Sequence, residues 1–152
     1  MSAPVASRIA DVEDAIYAAV EAAARPGSAL AGARVDLGEP LELQKVHVWV
    51  SLGSRSALEG EATGFDEVGS WTEAIDVEVQ IHVQQLGADW RGLRTRVEAL
   101  AGEVVAAVRA EPTLGGVVVD AGVAGFQRHP GAIERGIALL TTVHVRATAQ
   151  VP

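Results

Sequence analysis

The chain has no cysteine among its 152 residues. Disulfides, thiolate nucleophiles and cysteine-bound zinc are therefore excluded. Aromatic residues make up only 4% of the sequence, so the core must be built from small aliphatic side chains. Cations are in the minority too. Twelve Lys and Arg stand against 20 Asp and Glu, a formal net charge of −8. A surface of that sign does not displace counterions from phosphates, which argues against free nucleic acid or an acidic membrane as partner. No apolar run approaches the roughly 20 residues needed to cross a bilayer. The opening stretch MSAPVASRIADVEDAIY carries acids where a secretory signal needs an apolar centre. The expectation is a protein made in the cytoplasm and kept there, or in a particle assembled there.

What is present is apolar periodicity, with 49% of residues hydrophobic. The length suits one domain over 1–152, large enough to bury about two-thirds of its unfolded surface. Val5, Ile9, Val12, Ile16, Val20 and Ala23 recur every three or four residues and predict a helix over about 3–24. Ser2 and Pro4 suit its start, and Arg25-Pro26-Gly27 its stop. Asp11, Glu13, Asp14 and Glu21 fall mostly off the stripe and are expected to face solvent or a partner. A short strand is expected at 33–37. Alternation of Val46, Val48, Val50 and Leu52 with His47, Trp49 and Ser51 predicts a strand within 41–52.

Residues 53–70 break every periodicity, with four glycines and four acids, and read as a long flexible loop. The clearest strand follows at 72–87, where Ile75, Val77, Val79, Ile81 and Val83 oppose Asp76, Glu78, Gln80, His82 and Gln84. A second helix is expected over 89–110, with Asp89 as N-cap and an apolar stripe of Trp90, Leu93, Val97, Leu100, Val104 and Val108. Gly102 inside it suggests a close contact with the alanines of the first helix. Pro112 ends the helix, Gly115 and Gly116 turn the chain, and Leu114 anchors the corner on the core. Strands at 117–123 and 137–149 complete the pattern, with GFQRHPGAIERG between them as a loop. The order α-β-β-β-α-β-β predicts an α/β (α+β) two-layer sandwich. Its four- to five-stranded antiparallel or mixed sheet carries both helices on one face.

Chemistry is sparse. Gly53-Ser54-Arg55-Ser56 lacks the pattern and setting of a nucleophile elbow. Leu114-Gly115-Gly116 lacks the spacing and the following Lys-Ser/Thr of a phosphate loop. His82 and His144, with His47, are candidate neighbours on the polar sheet face, but no paired histidine spacing suggests a metal. Asp76 and Glu78 share a face, where solvated or interface carboxylates are the ordinary reading. Trp71 and Trp90, flanking the clearest strand, read as core or interface packing rather than stacking platforms. No catalytic, cofactor-binding or metal-ligating residue is assigned. Trp49, His82, Leu140 and Arg146 read as a surface that meets another protein.

The segments IDVEVQIHVQQ, DWRGLRTRVEALAGEVVAAVRA, EPTLGGVVV and ALLTTVHVRATA resemble the tail terminator, or tail completion, proteins of long-tailed bacteriophages and related gene-transfer particles. The first helix and the second strand fit as well, so the likeness covers most of the chain. It implies a small structural subunit without cofactor or catalysis that forms a hexameric ring. Such a ring caps the major tail tube protein, stops tail polymerisation and presents a surface to a head-completion or neck protein at the tail–neck junction of the virion. DNA would pass through the ring without specific binding, in keeping with an acidic or neutral lumen.

The expected contact residues are Leu58, Glu59, Glu61, Phe65, Asp66 and Glu67 of the long loop, with Trp49, His82 and Arg146. Strands 41–52 and 137–149 contain no proline and are expected to offer edges for pairing between subunits. Competing readings are a head–tail connector or neck protein of the same particle, a small-molecule-binding or catalytic α/β domain using the polar sheet face, and an adaptor that dimerises through sheet edges.

Overall fold

The computed structural model describes residues 7–60 and 71–151. Its elements are α1 (Ile9–Ala23), β1 (Arg34–Leu37), β2 (Val46–Val50), β3 (Arg55–Gly60), β4 (Trp71–Leu86), α2 (Trp90–Ala110), β5 (Asp120–Ile133) and β6 (Gly136–Val151). All six strands form one mixed sheet in the order β1-β2-β4-β6-β5, with β3 also beside β4. The α+β class holds, in the order α-β-β-β-β-α-β-β, but the sheet is larger than the four or five strands expected.

The additional strand is β3, which lies in the stretch read as loop. It pairs antiparallel with β4 from Arg55↔Asp76 to Gly60↔Trp71. Its described side chains, Arg55 to Glu59, are all exposed. Period-two alternation appears in sequence only when one face is buried, so this strand left no such signal. Residues 61–70, which include Glu61, Phe65, Asp66 and Glu67, lie outside the described residues, as do Ser2, Pro4 and Val5.

β4 organises the sheet. One side pairs with β6 along its whole length, from Trp71↔Val151 to Leu86↔Gly136. The other side takes two partners in tandem, β3 against its first half and β2 against 79–83. Ile75, Val77, Val79, Ile81 and Val83 all point to one face and are fully buried beneath the helices. α1 covers the β1–β2 end of that face and α2 covers β4, β6 and β5.

Packing holds α1. It buries Val12, Ile16 and Val20 completely, a gain of about 5–9 kcal/mol at about 1.5–3 kcal/mol per side chain. Its N-cap, Arg8, makes no side-chain cap bond, and a good cap is worth only about 1 kcal/mol. α2 has the cap read from sequence: the Asp89 carboxylate accepts from the Gly92 N–H at 3.0 Å. Glu13 departs from expectation, because it is buried and accepts from Ser54 Oγ at 2.7 Å. Gly102 does as well. It is exposed, and a Cβ there would meet nothing within 4 Å, so no helix–helix contact explains it.

The corner after α2 has the expected anchor. Leu114 is buried at 4% exposure, and Gly115 and Gly116 have φ of 70° and 89°. Leu114 itself has φ of 48°, in the left-handed region. The turn lasts longer than expected, and β5 starts at Asp120 rather than at 117. β5 then absorbs most of GFQRHPGAIERG, pairing with β6 as far as Ile133↔Gly136. A register shift between Val123 and Gly125 accommodates an extra residue, and Pro130 is tolerated because β5 has no neighbour on its far side among the described residues.

The edges are thus not those expected. β2 lies between β1 and β4, and β6 between β4 and β5. Among the described residues the sheet ends at β1 and β5, and β3 has only β4 beside it.

Candidate functional site

The face of the sheet away from the helices carries its polar chemistry. Cross-strand register places Asp76 opposite Arg146, Glu78 opposite His144, Gln80 opposite Thr142 and His82 opposite Leu140. Arg146 Nε donates to Asp76 Oδ1 at 3.0 Å, and His144 Nδ1 lies 3.9 Å from Glu78 Oε1. Thr142 donates to Gln80 Oε1 at 2.6 Å, and Gln80 Nε2 donates to Glu78 at 3.1 Å. These form a ladder of facing polar side chains, hydrogen-bonded at Asp76–Arg146 and Gln80–Thr142. A shallow depression of about 380 Å³ opens over it, lined by Gly53 and Arg55 together with Asp76, Glu78, His144 and Arg146. Asp76 and Glu78 share a face, as the spacing required; Arg146 engages Asp76, and the Gln80 amide donates to Glu78. Such exposed pairs contribute at most about 1 kcal/mol each. They specify a polar contact surface better than a proton-transfer site.

The histidines separate. His47 and His82 are register partners on β2 and β4, but His144 faces Glu78 rather than His82. Among the described residues no group of three or more His, Asp or Glu side chains is placed to hold a metal ion. Burial pushes the His82 imidazole below its ordinary pKa, against a smaller opposing effect from Gln84.

His47 is locked at both nitrogens. The Gln44 backbone N–H donates to Nδ1 at 3.0 Å, so Nε2 carries the proton and donates to Asp36 at 2.6 Å. That bond holds the Asp36 carboxyl below the usual range, and Arg34 adds to it against the cost of burial. The His47 ring stands edge-on to Trp49, with centroids 5.8 Å apart.

The expected contact residues divide in three. Leu58, Glu59 and Arg146 are exposed. Trp49 and His82 lie on the expected face but are covered by the chain itself, with 6% and 9% exposure. At the same edge, segment 38–45 is tied to His47 through the Gln44 N–H. The remainder lie at 61–70, outside the described residues.

Two features escaped sequence reading. Exposed apolar side chains gather at the two ends of the sheet: Leu37, Leu41, Leu43 and Leu52 near β1, and Val119, Phe126 and Ile133 along β5. Between α2 and β5 runs a seam of two depressions, about 410 and 290 Å³, that share Arg128. Recognising it required knowing that β5 continues through Pro130, which the Gly and Pro content concealed.

No known protein family matches the chain, and no curated protein matches it. Among solved structures it is similar to a chain described as the virion of a native gene transfer agent particle, with a TM-score of 0.54 and 12% identity. The likeness covers 95% of this chain and 99% of that one, so the two share a fold from end to end.

Proposed function

We infer that this chain is a structural subunit of a phage-like particle, and specifically its tail terminator. It would act as a single tail-terminator-like unit assembled into a ring, most simply a hexamer. The ring would cap the tail tube, stop its growth and present the head-neck attachment surface, with DNA passing through. The observation that carries this reading is the end-to-end fold similarity to a gene transfer agent virion chain. The resemblance of the α2 region and its corner to tail terminators supports the finer assignment. No catalysis is assigned; on the outer face Asp76 accepts from Arg146 and Glu78 from Gln80.

Leu58, Glu59 and Arg146 are the proposed contacts to the tube or neck, and Trp49 and His82, buried on the polar face, are proposed to shape that face. Phe65, with Glu61, Asp66 and Glu67, joins them on sequence grounds. The test is addition of the purified protein to growing tail tubes. Tubes should stop lengthening, and rings should be seen at one end only. Binding to heads or portals with no effect on tube growth would favour a neck or connector protein instead. Genes for a major tail protein and a tape measure beside this one would support either particle role over an enzyme or adaptor.

A further inference from the structure

We propose that segment 38–45 of one copy docks into the α2–β5 seam of the next, so that the contact between copies is head-to-tail. The inference rests on the ring reading for its geometry, but not on tail capping.

The donor is the segment between β1 and β2. Those strands are parallel, so the segment must carry the chain back from the end of one to the start of the other. The Gln44 bond to His47 fixes its base. Leu41 stands fully in solvent and Leu43 is 45% exposed. Glu39 and Glu42 flank Leu41. Two leucines held out by an ordered segment cost solvation that nothing within the described chain recovers.

The acceptor lies at the opposite end of the sheet. One depression of the seam is lined by Trp90, Arg91, Arg94 and Arg128. The next is apolar and includes Ala101, Gly102, Phe126 and Thr141. Three of the 12 cations of an acidic chain meet here. Glu98 holds Arg128 at 2.7 Å, while Arg91 and Arg94 form no ion pair among the described residues. The charges complement Glu39 and Glu42, and the apolar part suits the leucines.

Two further observations point to an occupant. Thr141 Oγ1 is the one buried side-chain polar atom without a hydrogen-bond partner among the described residues, and Thr141 lines the apolar depression. A docked backbone offers it a partner. Gly102 sits in an exposed helix interior with open space where a Cβ would be. No packing within the described chain accounts for it, and its lack of a side chain leaves the floor of the seam clear. The lengths agree as well. An extended run from 39 to 43 spans about 13 Å, and α2 rises about 12 Å between Arg94 and Gly102. Strand addition to β5 fits less well, because Pro130 has no N–H to extend the ladder. Donor and acceptor lie at opposite ends of the sheet, a heterologous arrangement that propagates and closes into a ring when the rotation allows.

The absence of cysteine makes the test direct. A Leu41→Cys chain carrying a benzophenone maleimide is mixed with isotope-labelled unmodified chain at high concentration and irradiated. The proposal expects adducts between copies, mapped to peptides spanning 94–105 and 126–130. Arg94→Glu in the labelled chain should cause a several-fold loss of adduct, and Glu42→Arg in the probe chain should restore much of it. Adducts between copies that map elsewhere, adducts only within a copy, or none at all overturn the proposal. If the adduct forms but the protein never caps a tube, the contact stands and the terminator reading falls. If rings cap tubes without this adduct, the reverse holds.

Discussion

Glu73 on β4 accepts the backbone N–H of Arg8, 65 residues away in sequence, at 2.6 Å. Its second oxygen accepts from Ser7 Oγ at 2.7 Å. The residue is 1% exposed. A strand carboxylate thus completes the first turn of α1, whose own N-cap residue supplies no side-chain bond. It also places negative charge at the positive end of the helix dipole. Burial raises the carboxyl pKa, but the bonds from Arg8, Ser7 and Ser56 outweigh it and hold the group below its ordinary value.

Glu73→Ala should therefore cost about 2–3 kcal/mol at neutral pH, since a buried charged acceptor is lost and the Arg8 N–H is left unpaired. A carboxyl depressed on folding contributes stability above its unfolded pKa. That contribution is lost as pH falls through the folded value. Urea titrations of parent and Glu73→Gln across the acid range should converge towards low pH. A constant difference would show that Glu73 is not ionised in the fold.

At the corner after α2, Leu114 is buried yet left-handed. Leu114→Ala should cost about 2–5 kcal/mol for the lost side chain and cavity. Leu114→Gly loses the same packing but relieves about 1 kcal/mol of backbone strain. Glycine should thus be the milder replacement, the reverse of the usual order, and denaturant midpoints of both variants read this directly.

His47 bridges Asp36 and the Gln44 amide, and thereby holds the segment that bears Leu41. His47→Phe keeps a ring but removes the acceptor of the Gln44 N–H and one of the two partners of Asp36, which retains Arg34. Amide hydrogen exchange at Gln44 should speed markedly in this variant. Unchanged exchange would mean that another group holds the segment.

Two glycines should respond in opposite directions. A Cβ at Gly136 would clash with the Gln85 carbonyl oxygen, so Gly136→Ala should destabilise the β4–β6 pairing. Gly102→Ala meets open space and should stabilise the isolated chain by about 1 kcal/mol. Thermal melts of the two variants decide the signs.

The buried strands and both helices were legible because burial of one face imprints a period on the sequence, as at Ile75 to Val83 and along Leu93, Val97 and Leu100. β3 was not legible, because neither of its faces is buried. β5 was hidden by Gly122, Gly125, Pro130 and Gly131, residues that suit a bulged edge strand as well as a loop. The sheet edges differ from those expected for the same reason: an edge is a relation between strands, and neither β3 nor the full length of β5 carries a local pattern. The polar face was legible at Asp76 and Glu78. Burial of Trp49 and His82 on that same face is a tertiary property that the strand alternation does not encode.

The terminator reading is tested most directly by electron microscopy of particles from cells lacking this gene. The ring reading predicts headless tails that run well past normal length, restored to normal by the intact gene. Tails of normal length joined to filled heads would contradict it.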